Sequence, residues 1–276
     1  MAFSKEQAQR YARHFVLKEI GVEGQERLVQ SRVLVIGAGA LSSGALMYLA
    51  AAGIGVIGIC DGDRVELSNL SRQIIHRQSD IGTLKTESAK RALVGLNPDV
   101  TIQLISERVT PDNIEAVISP YDFILDCTDR FETKFLINDA CVLMEKPYSH
   151  AGAVRFEGQA MTYVPGRGGC LRCVLGGVPE NAASCAEAGV FGAIPGILGC
   201  IQATEAVKYL LGTGELLTGR VLHIDGLTMR TQIINTGAAD ENCPVCGKER
   251  TSFSLLQHRG EYEPKGCGSQ GSDLHL

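Results

Sequence analysis

Tryptophan is absent from the 276 residues and aromatics amount to only 5%, which argues against an aromatic-rich β-sandwich. Positive charge is in deficit as well: 26 Lys and Arg face 31 Asp and Glu, a formal charge of −5, so the chain lacks the basic surplus of a nucleic-acid binder. No apolar signal core occurs in MAFSKEQAQRYARH, which is polar from Ser4 onward. Export is therefore not expected, and a cytoplasmic location is. Charged residues are missing from Val33 to Cys60, a stretch long enough to span a bilayer. Gly37, Gly39, Gly44, Gly53, Gly55 and Gly58 nevertheless break it into two β-branched runs around an alanine-rich middle. That pattern reads as strand, helix, strand in a globular domain, with no membrane span. Ten cysteines in a chain that is not exported point to reduced, ligating or catalytic thiols rather than a disulfide framework.

What the chain has in quantity is glycine, 32 residues, within a 45% hydrophobic composition, and its length suffices for one large core, or one core plus a small appendage. Ser4-Lys-Glu-Gln7 fits a capping box for a first helix over residues 4–20, which would carry Arg10, Tyr11, Arg13 and His14. Arg32 to Gly37 reads as a buried strand, Leu41 to Ala52 as a helix and Gly55 to Asp61 as a second strand. Lys85 to Leu96 is an expected helix, TIQLIS from Thr101 a third strand, Thr110-Pro111 the opening of another helix, and Phe123 to Asp129 a fourth strand. Such alternation gives an α/β fold, a doubly wound, Rossmann-like and mostly parallel sheet with right-handed crossovers. After Pro147 a Gly-rich, partly alternating stretch through Val164 suggests an antiparallel extension of that sheet. Ala186 to Leu211 reads as an apolar helix with Pro195 near its start, and strand returns near Val221. Residues 1–250 are thus expected to form one domain, with a nucleotide-binding core over 31–147 and an extension over 148–250. Residues 251–276 have weak periodicity and are expected to form a flexible tail.

Gly37-Ala-Gly39-Ala-Leu-Ser-Ser-Gly44 lies between an expected strand and an expected helix, where a phosphate-cradling turn belongs. Side chains there would keep a phosphate from the backbone N–H groups at the positive helix end, hence the glycines. The spacing G-x-G-x(4)-G departs from the dinucleotide G-x-G-x-x-G, and Ser42 stands where the third glycine would be. Asp61, at the end of the second strand and about 20 residues past Gly39, fits the acid that grips a ribose hydroxyl. The block DGDRVELSNLSRQ then places Asn69, Arg72 and Gln73 on one loop, and Lys85 adds a cation. Asp129, at the carboxyl end of the fourth strand, is placed to hold Mg²⁺ against a triphosphate. These groups suit phosphates better than a nicotinamide, so triphosphate chemistry is expected over hydride transfer.

Cys170-x-x-Cys173 and Cys243-Pro-Val-Cys246 form two pairs whose spacing lets both sulfurs face one tetrahedral ion. A structural Zn²⁺ is expected there, tying the far part of the chain to the sheet, with a redox dithiol as the alternative reading. Cys60, Cys127, Cys141 and Cys200 lie in apolar runs and read as small core hydrophobes. Cys185 follows the polar loop Glu180 to Ser184 and precedes an expected helix whose N-terminal dipole favours a thiolate. A nucleophilic or sulfur-accepting thiol would work at that position.

RYARHFVL, RVLVIGAG, DGDRVELSNLSRQ, KTESAK, DCTDR, CLRC, ENAASCAEAGV and CPVCG follow one another over about residues 5 to 248. In this order they resemble the ThiF/MoeB/HesA family, whose members are similar to ubiquitin-activating enzymes. The resemblance implies a homodimeric adenylyltransferase that uses ATP and Mg²⁺ on a ubiquitin-like sulfur-carrier protein ending in Gly-Gly, with a sulfurtransferase or cysteine desulfurase as a further partner. The activated carrier would take up sulfur for thiamin, molybdopterin or a related product. Nucleotide contacts are implied at Gly39, Asp61, Asn69, Arg72, Gln73 and Lys85, with Gly37 in the same turn and Asp129 near the metal and phosphates. Arg13 would enter from the partner subunit, zinc would sit on the four paired cysteines, and Cys185 matches a thiol that some members use covalently. Residues 148–250 would then serve carrier binding, dimerisation and the zinc clamp. The usual G-x-G-G-L-G is departed from at Ala40 and Ser42, so phosphate contact depends on a negative φ at residue 40. Two rivals stay open: an NAD-dependent Rossmann oxidoreductase, and a nucleotide-binding relative without catalysis.

Overall fold

A computed structural model describes residues 3–178, 188–248 and 253–263. Its centre is an eight-stranded sheet of order β3-β2-β1-β4-β5-β6-β7-β8. β1 (Arg32–Ile36), β2 (Val56–Cys60), β3 (Thr101–Ile105), β4 (Phe123–Asp126) and β5 (Tyr148–Val154) run parallel. β6 (Glu157–Tyr163), β7 (Arg220–Asp225) and β8 (Arg230–Asn235) continue the sheet antiparallel. The stretch expected as an antiparallel extension is therefore a hairpin whose first strand still belongs to the parallel set. Val33 and Val35 face one core cluster and Leu34 and Ile36 the other. A strand covered on both faces needs an unbroken apolar run, which is why RVLVI carries no polar alternation.

The expected helix over 4–20 is divided into α1 (Lys5–Arg10) and α2 (Ala12–Phe15), followed by α3 (Gly21–Gln30). The Ser4 capping box forms, with the Gln7 amide donating to Ser4 Oγ at 3.1 Å. The break falls at Tyr11, whose ring is buried and whose hydroxyl accepts from Asn97 Nδ2 at 3.0 Å. Seating that ring in the core, rather than helical continuity, fixes the backbone there. α4 (Ala40–Ala52), α5 (Lys85–Leu96), α6 (Ile114–Ile118), α7 (Phe131–Leu143), α8 (Leu171–Leu175) and α9 (Ala193–Leu211) complete the layers. The last of these begins later than the expected Ala186, and residues 179–187 lie outside the described set.

α4 and α9 cross at glycine. A Cβ on Gly199 would lie 1.9 Å from the Leu41 carbonyl oxygen, and one on Gly44 would lie 2.8 Å from that of Gly196. Gly44 is thus a helix-packing residue and not the third member of a phosphate loop, which corrects the G-x-G-x(4)-G reading. Within the expected tail, residues 253–263 pack on the domain. Leu255 and Tyr262 are buried, and Tyr262 donates its hydroxyl proton to Asp139 Oδ2 at 2.6 Å. Asp139 is a carboxylate buried on α7, so it requires such donors. Among the described residues no helix is long and apolar enough to cross a membrane.

Candidate functional site

The carboxyl ends of β1, β2 and β4 are neighbours in the sheet, and β1 lies between two strands reached in opposite directions. Open α/β sheets leave a crevice at such a switch point. Gly37 takes φ +95°, and a Cβ there would meet the Cys127 carbonyl oxygen at 2.7 Å. Both observations require glycine, and they put the turn after β1 in direct contact with the turn after β4. At Gly39 a Cβ would find nothing nearer than Gln73 Nε2, at 3.6 Å. The other amide atom of that buried side chain, Gln73 Oε1, has no hydrogen-bond partner.

Asp61 works on this turn. Its Oδ2 accepts the Ala38 N–H and its Oδ1 the Asp63 N–H, both at 2.7 Å. Asn69 closes a single turn of 3₁₀ helix by accepting the Glu66 N–H at 3.2 Å, and Arg72 donates to the Ser68 carbonyl at 3.1 Å. The backbone of Arg72 also packs on Gly192, beside the start of α9. Lys85, at the start of α5, lies 3.5 Å from Asp63 Oδ2, and Arg108 pairs with Asp63 Oδ1 at 2.7 Å. Arg108, which the sequence reading missed, has its pKa raised first by its hydrogen bond to Asp63 and also by the fields of Asp61 and Asp129. Asp129 is exposed on the loop after β4, and its field reaches Arg108. Ala40 is the first residue of α4 and is not among the residues with positive φ, while Ser42 Oγ turns inward to the Gly39 carbonyl at 3.1 Å. The two departures from glycine leave the turn open.

Two further polar sets support these loops. His76, buried behind the turn, places Nε2 2.9 Å from the Ala38 carbonyl and Nδ1 2.8 Å from Ser88 Oγ. Asp126, fully buried at the end of β4, accepts from Lys134 Nζ (3.3 Å), His150 Nδ1 (2.8 Å), and the N–H (3.1 Å) and hydroxyl (2.7 Å) of Thr128. Burial alone would raise its pKa, but the Lys134 charge and the His150 hydrogen bond outweigh that and hold it at about 2. Thr128 directly precedes Asp129, so this carboxylate fixes the loop that presents it. A lone polar residue at the end of an apolar strand was the one available signal for Asp126, and nothing in the local pattern marks His76.

Arg13 does not join this cluster. It follows Tyr11, which packs on Gly53 and Asn97, at the end of α4 remote from the Gly39 turn. A helix of 13 residues separates those ends by about 20 Å. Cys185 lies outside the described residues. The four paired cysteines do converge: their sulfurs lie within 4.8 Å of one another, with Cys170 to Cys243 at 3.7 Å and Cys173 to Cys246 at 3.3 Å. Arg172, between the first two, donates to Asp139 (2.6 Å) and Glu261 (2.8 Å) and so joins this corner to residues 253–263.

A doubly wound α/β domain with a glycine turn at its switch point and a separate four-thiol corner is the class these features define. Residues 11–245 match the ThiF family, and the chain belongs to it. It is 45% identical over 244 residues to the SAMP-activating enzyme E1 of Haloferax volcanii, covering 88% of this chain and 90% of that protein. With the sulfur carrier protein adenylyltransferase of Thermus thermophilus it shares 40% over 265 residues, covering 94% and 97%. The adenylyltransferase and sulfurtransferase MOCS3-1 of Zea mays is 42% identical over 256 residues, but this chain spans only 55% of it. Among solved structures, Escherichia coli MccB with ATP superposes with a TM-score of 0.74 at 25% identity, covering 86% of this chain and 74% of that one.

The Asp126 cluster has a measurable consequence. Its folded-state pKa of about 2 lies below the unfolded value of about 3.9, so its contribution is complete above about pH 4 and is lost as pH falls towards 2. Asp126→Asn, which leaves Lys134 without its buried counter-charge, is expected to cost about 3 kcal/mol at neutral pH. That cost should shrink by about 2 kcal/mol near pH 2. Urea unfolding across this range checks it, and a cost independent of pH would show that Asp126 is not ionised in the folded protein.

Proposed function

We propose that the chain is a homodimeric adenylyltransferase that activates the C-terminal glycine of a ubiquitin-like sulfur-carrier protein with ATP, ahead of sulfur transfer by a sulfurtransferase or cysteine desulfurase. The observation that supports this reading is an open glycine turn at the switch point whose Ala38 N–H is held by Asp61, with the cations Lys85 and Arg108 both paired to Asp63 two residues further on. The chain also matches, over most of both lengths, one relative named as a SAMP-activating enzyme and one named as a sulfur carrier protein adenylyltransferase. The residues fit a nucleotide: buried Gln73 Oε1 has no partner beside the turn, and Gly39 leaves room there. Family membership favours this over a nicotinamide oxidoreductase, and the open turn at Ala40 favours it over a non-catalytic relative.

The carrier's terminal carboxylate is already ionised at neutral pH and needs no general base. One of its oxygens attacks the α-phosphorus in line, the bond to the bridging oxygen of the β-phosphate breaks, and pyrophosphate leaves. In this reading Gly37, Gly39, Asp61, Asn69 and Gln73 hold the nucleotide, and Arg72 and Lys85 stabilise the charge spread over the phosphates. Mg²⁺, when bound at Asp129, supplies further neutralisation of the phosphates. Cys185 is assigned to a later step, a covalent carrier or sulfur intermediate.

Pyrophosphate exchange should therefore depend on ATP and on a carrier ending in Gly-Gly. Asp129→Ala is expected to abolish exchange in a folded protein, and Cys185→Ala to spare it. Tight NADH binding without ATP binding would sink the assignment, and loss of exchange in folded Cys185→Ala would move that thiol into the first step.

Cys170, Cys173, Cys243 and Cys246 are proposed to hold one structural Zn²⁺. A zinc–thiolate tetrahedron with bonds of about 2.3 Å has edges of about 3.8 Å, close to the observed sulfur separations of 3.7 and 3.3 Å. Metal analysis should find about one zinc per chain, and Cys243→Ser should lose it together with thermal stability. Freshly purified protein without zinc and with all four thiols free would refute the site.

Arg13, two residues after Tyr11 at the end of α4 remote from the Gly39 turn, is assigned to the partner's site. Arg13→Ala and Asp129→Ala homodimers should each be nearly inactive. After random subunit exchange about half the dimers are mixed with one complete site each, so activity should recover to about a quarter of wild type. No recovery, with exchange confirmed by mass spectrometry, would place Arg13 in its own subunit's site or outside both.

A further inference from the structure

His76 occupies a position that the adenylation reading does not use. Its Nε2 faces the carbonyl of Ala38, the middle residue of the Gly37-Ala38-Gly39 turn, at 2.9 Å. A carbonyl oxygen only accepts, so this bond requires a proton on Nε2. On its other side, Nδ1 lies 2.8 Å from Ser88 Oγ, which in turn lies 2.8 Å from Asp80 Oδ2. Asp80 is held ionised: burial opposes this, but hydrogen bonds from Arg91 and Ser88 bring its pKa down to about 2. The single Ser88 hydroxyl proton therefore goes to the carboxylate, and Ser88 Oγ accepts from a proton on Nδ1. All three bonds are satisfied together only when both ring nitrogens carry protons. In the neutral ring the pull of Asp80 through Ser88 keeps the remaining proton on Nδ1, and Nε2 then turns a lone pair towards the Ala38 oxygen.

The peptide unit joining Ala38 to Gly39 is planar and trans, so its C=O and N–H point in opposite directions. Fixing the Ala38 oxygen against His76 aims the Gly39 N–H away from His76. The preceding unit is fixed independently, through the Ala38 N–H on Asp61. We propose that His76, oriented through Ser88 by Asp80, is a positioning residue for the nucleotide turn, and that the turn is clamped in its ATP-binding form when the imidazole is protonated. This rests on the ATP reading of the turn. Charged groups around the ring act both ways: Asp80 from the preceding 3₁₀ turn and Asp61 from the end of β2 favour the imidazolium, and Lys85 from α5 opposes it. Arg91, also on α5, acts by neutralising Asp80. Burial is the largest influence and lowers the pKa below the usual histidine value. The clamp is accordingly complete below that lowered pKa and is lost as pH rises through it.

Two amide substitutions separate this from a merely structural role. A glutamine amide nitrogen stands near the position of Nε2, and an asparagine amide nitrogen near that of Nδ1. Equilibrium binding of a non-hydrolysable ATP analogue with Mg²⁺ to the full chain, followed from about pH 8 down to about pH 4 because burial lowers the imidazole pKa below the ordinary range, is the test. Wild type should bind more weakly as pH rises, by roughly five- to tenfold, the size of one hydrogen bond. His76→Gln should keep the tight low-pH affinity across the range, and His76→Asn should bind weakly throughout with a melting temperature near wild type. Ser88→Ala, which frees Nδ1 from Asp80, should also remove the pH step. If all four proteins bind alike at every pH, or if His76→Gln keeps the wild-type step, the inference is overturned while the ATP reading stands. Wild type that binds no analogue at any pH would overturn the ATP reading and this inference with it.

Discussion

A carboxylate with no access to water, Asp126, is the constraint around which the site end of the sheet is arranged. Removing a charge from solvent costs several kcal/mol unless donors replace the water. Here α7 supplies Lys134, β5 supplies His150 and the following loop supplies Thr128. Each donor comes from a different element, so the carboxylate is satisfied only when strand, helix and loop are all in register. Gln202 of α9 adds hydrogen bonds to the Asp126 and Ser149 carbonyls, extending the same requirement to the helix that crosses α4. An exposed residue such as Asp129 can then stand on a short loop and still have a defined place.

Asp139 lies on α7 in a second polar set, with the opposite balance. Burial is the dominant influence on its carboxyl and leaves the pKa above the ordinary value, although Arg172 and Tyr262 both donate to it. At Asp126 the neighbouring cation and the hydrogen bonds win instead. Asp126 takes its donors from α7, β5 and the loop after β4, whereas Asp139 takes one of its donors from residues 253–263. Arg172 is further held between Phe135 and Phe253, at 5.3 and 5.4 Å from the ring centres, so its role is packing as much as charge.

The parallel half of the fold was legible because β1 and β2 are short β-branched runs bounded by glycine and aspartate, and α5 is a well-punctuated amphipathic segment. α7 escaped the same reading because residues Lys134 to Val142 are all buried, leaving no polar face to set a period. β8 escaped it for the opposite reason, since every residue from Arg230 to Asn235 is exposed at the sheet edge. In the site, Asp61 and the cysteine pairs declare themselves by position and spacing. Gln73, Lys85 and Asp129 could be named from residue type and position in the chain, but their contacts could not be read there. His76 and Arg108 act through contacts between segments that are distant in sequence, Ala38 with His76 and Asp63 with Arg108, and no periodicity records such contacts.

The packing of Tyr262 and Glu261 onto α7 and α8 also bears on the order in which the protein is made. A ribosome delivers Asp139 and Arg172 well before residues 253–263, and domains tend to fold as they emerge. Until that later segment appears, Asp139 lacks the Tyr262 hydroxyl and Arg172 lacks Glu261. At that stage the corner where α7 meets α8 holds a buried carboxylate that lacks one of its native donors. A chain that stops short of Tyr262 would lack the Tyr262 hydroxyl on Asp139 and the Glu261 carboxylate on Arg172, and would be less stable at that corner by the worth of those two bonds.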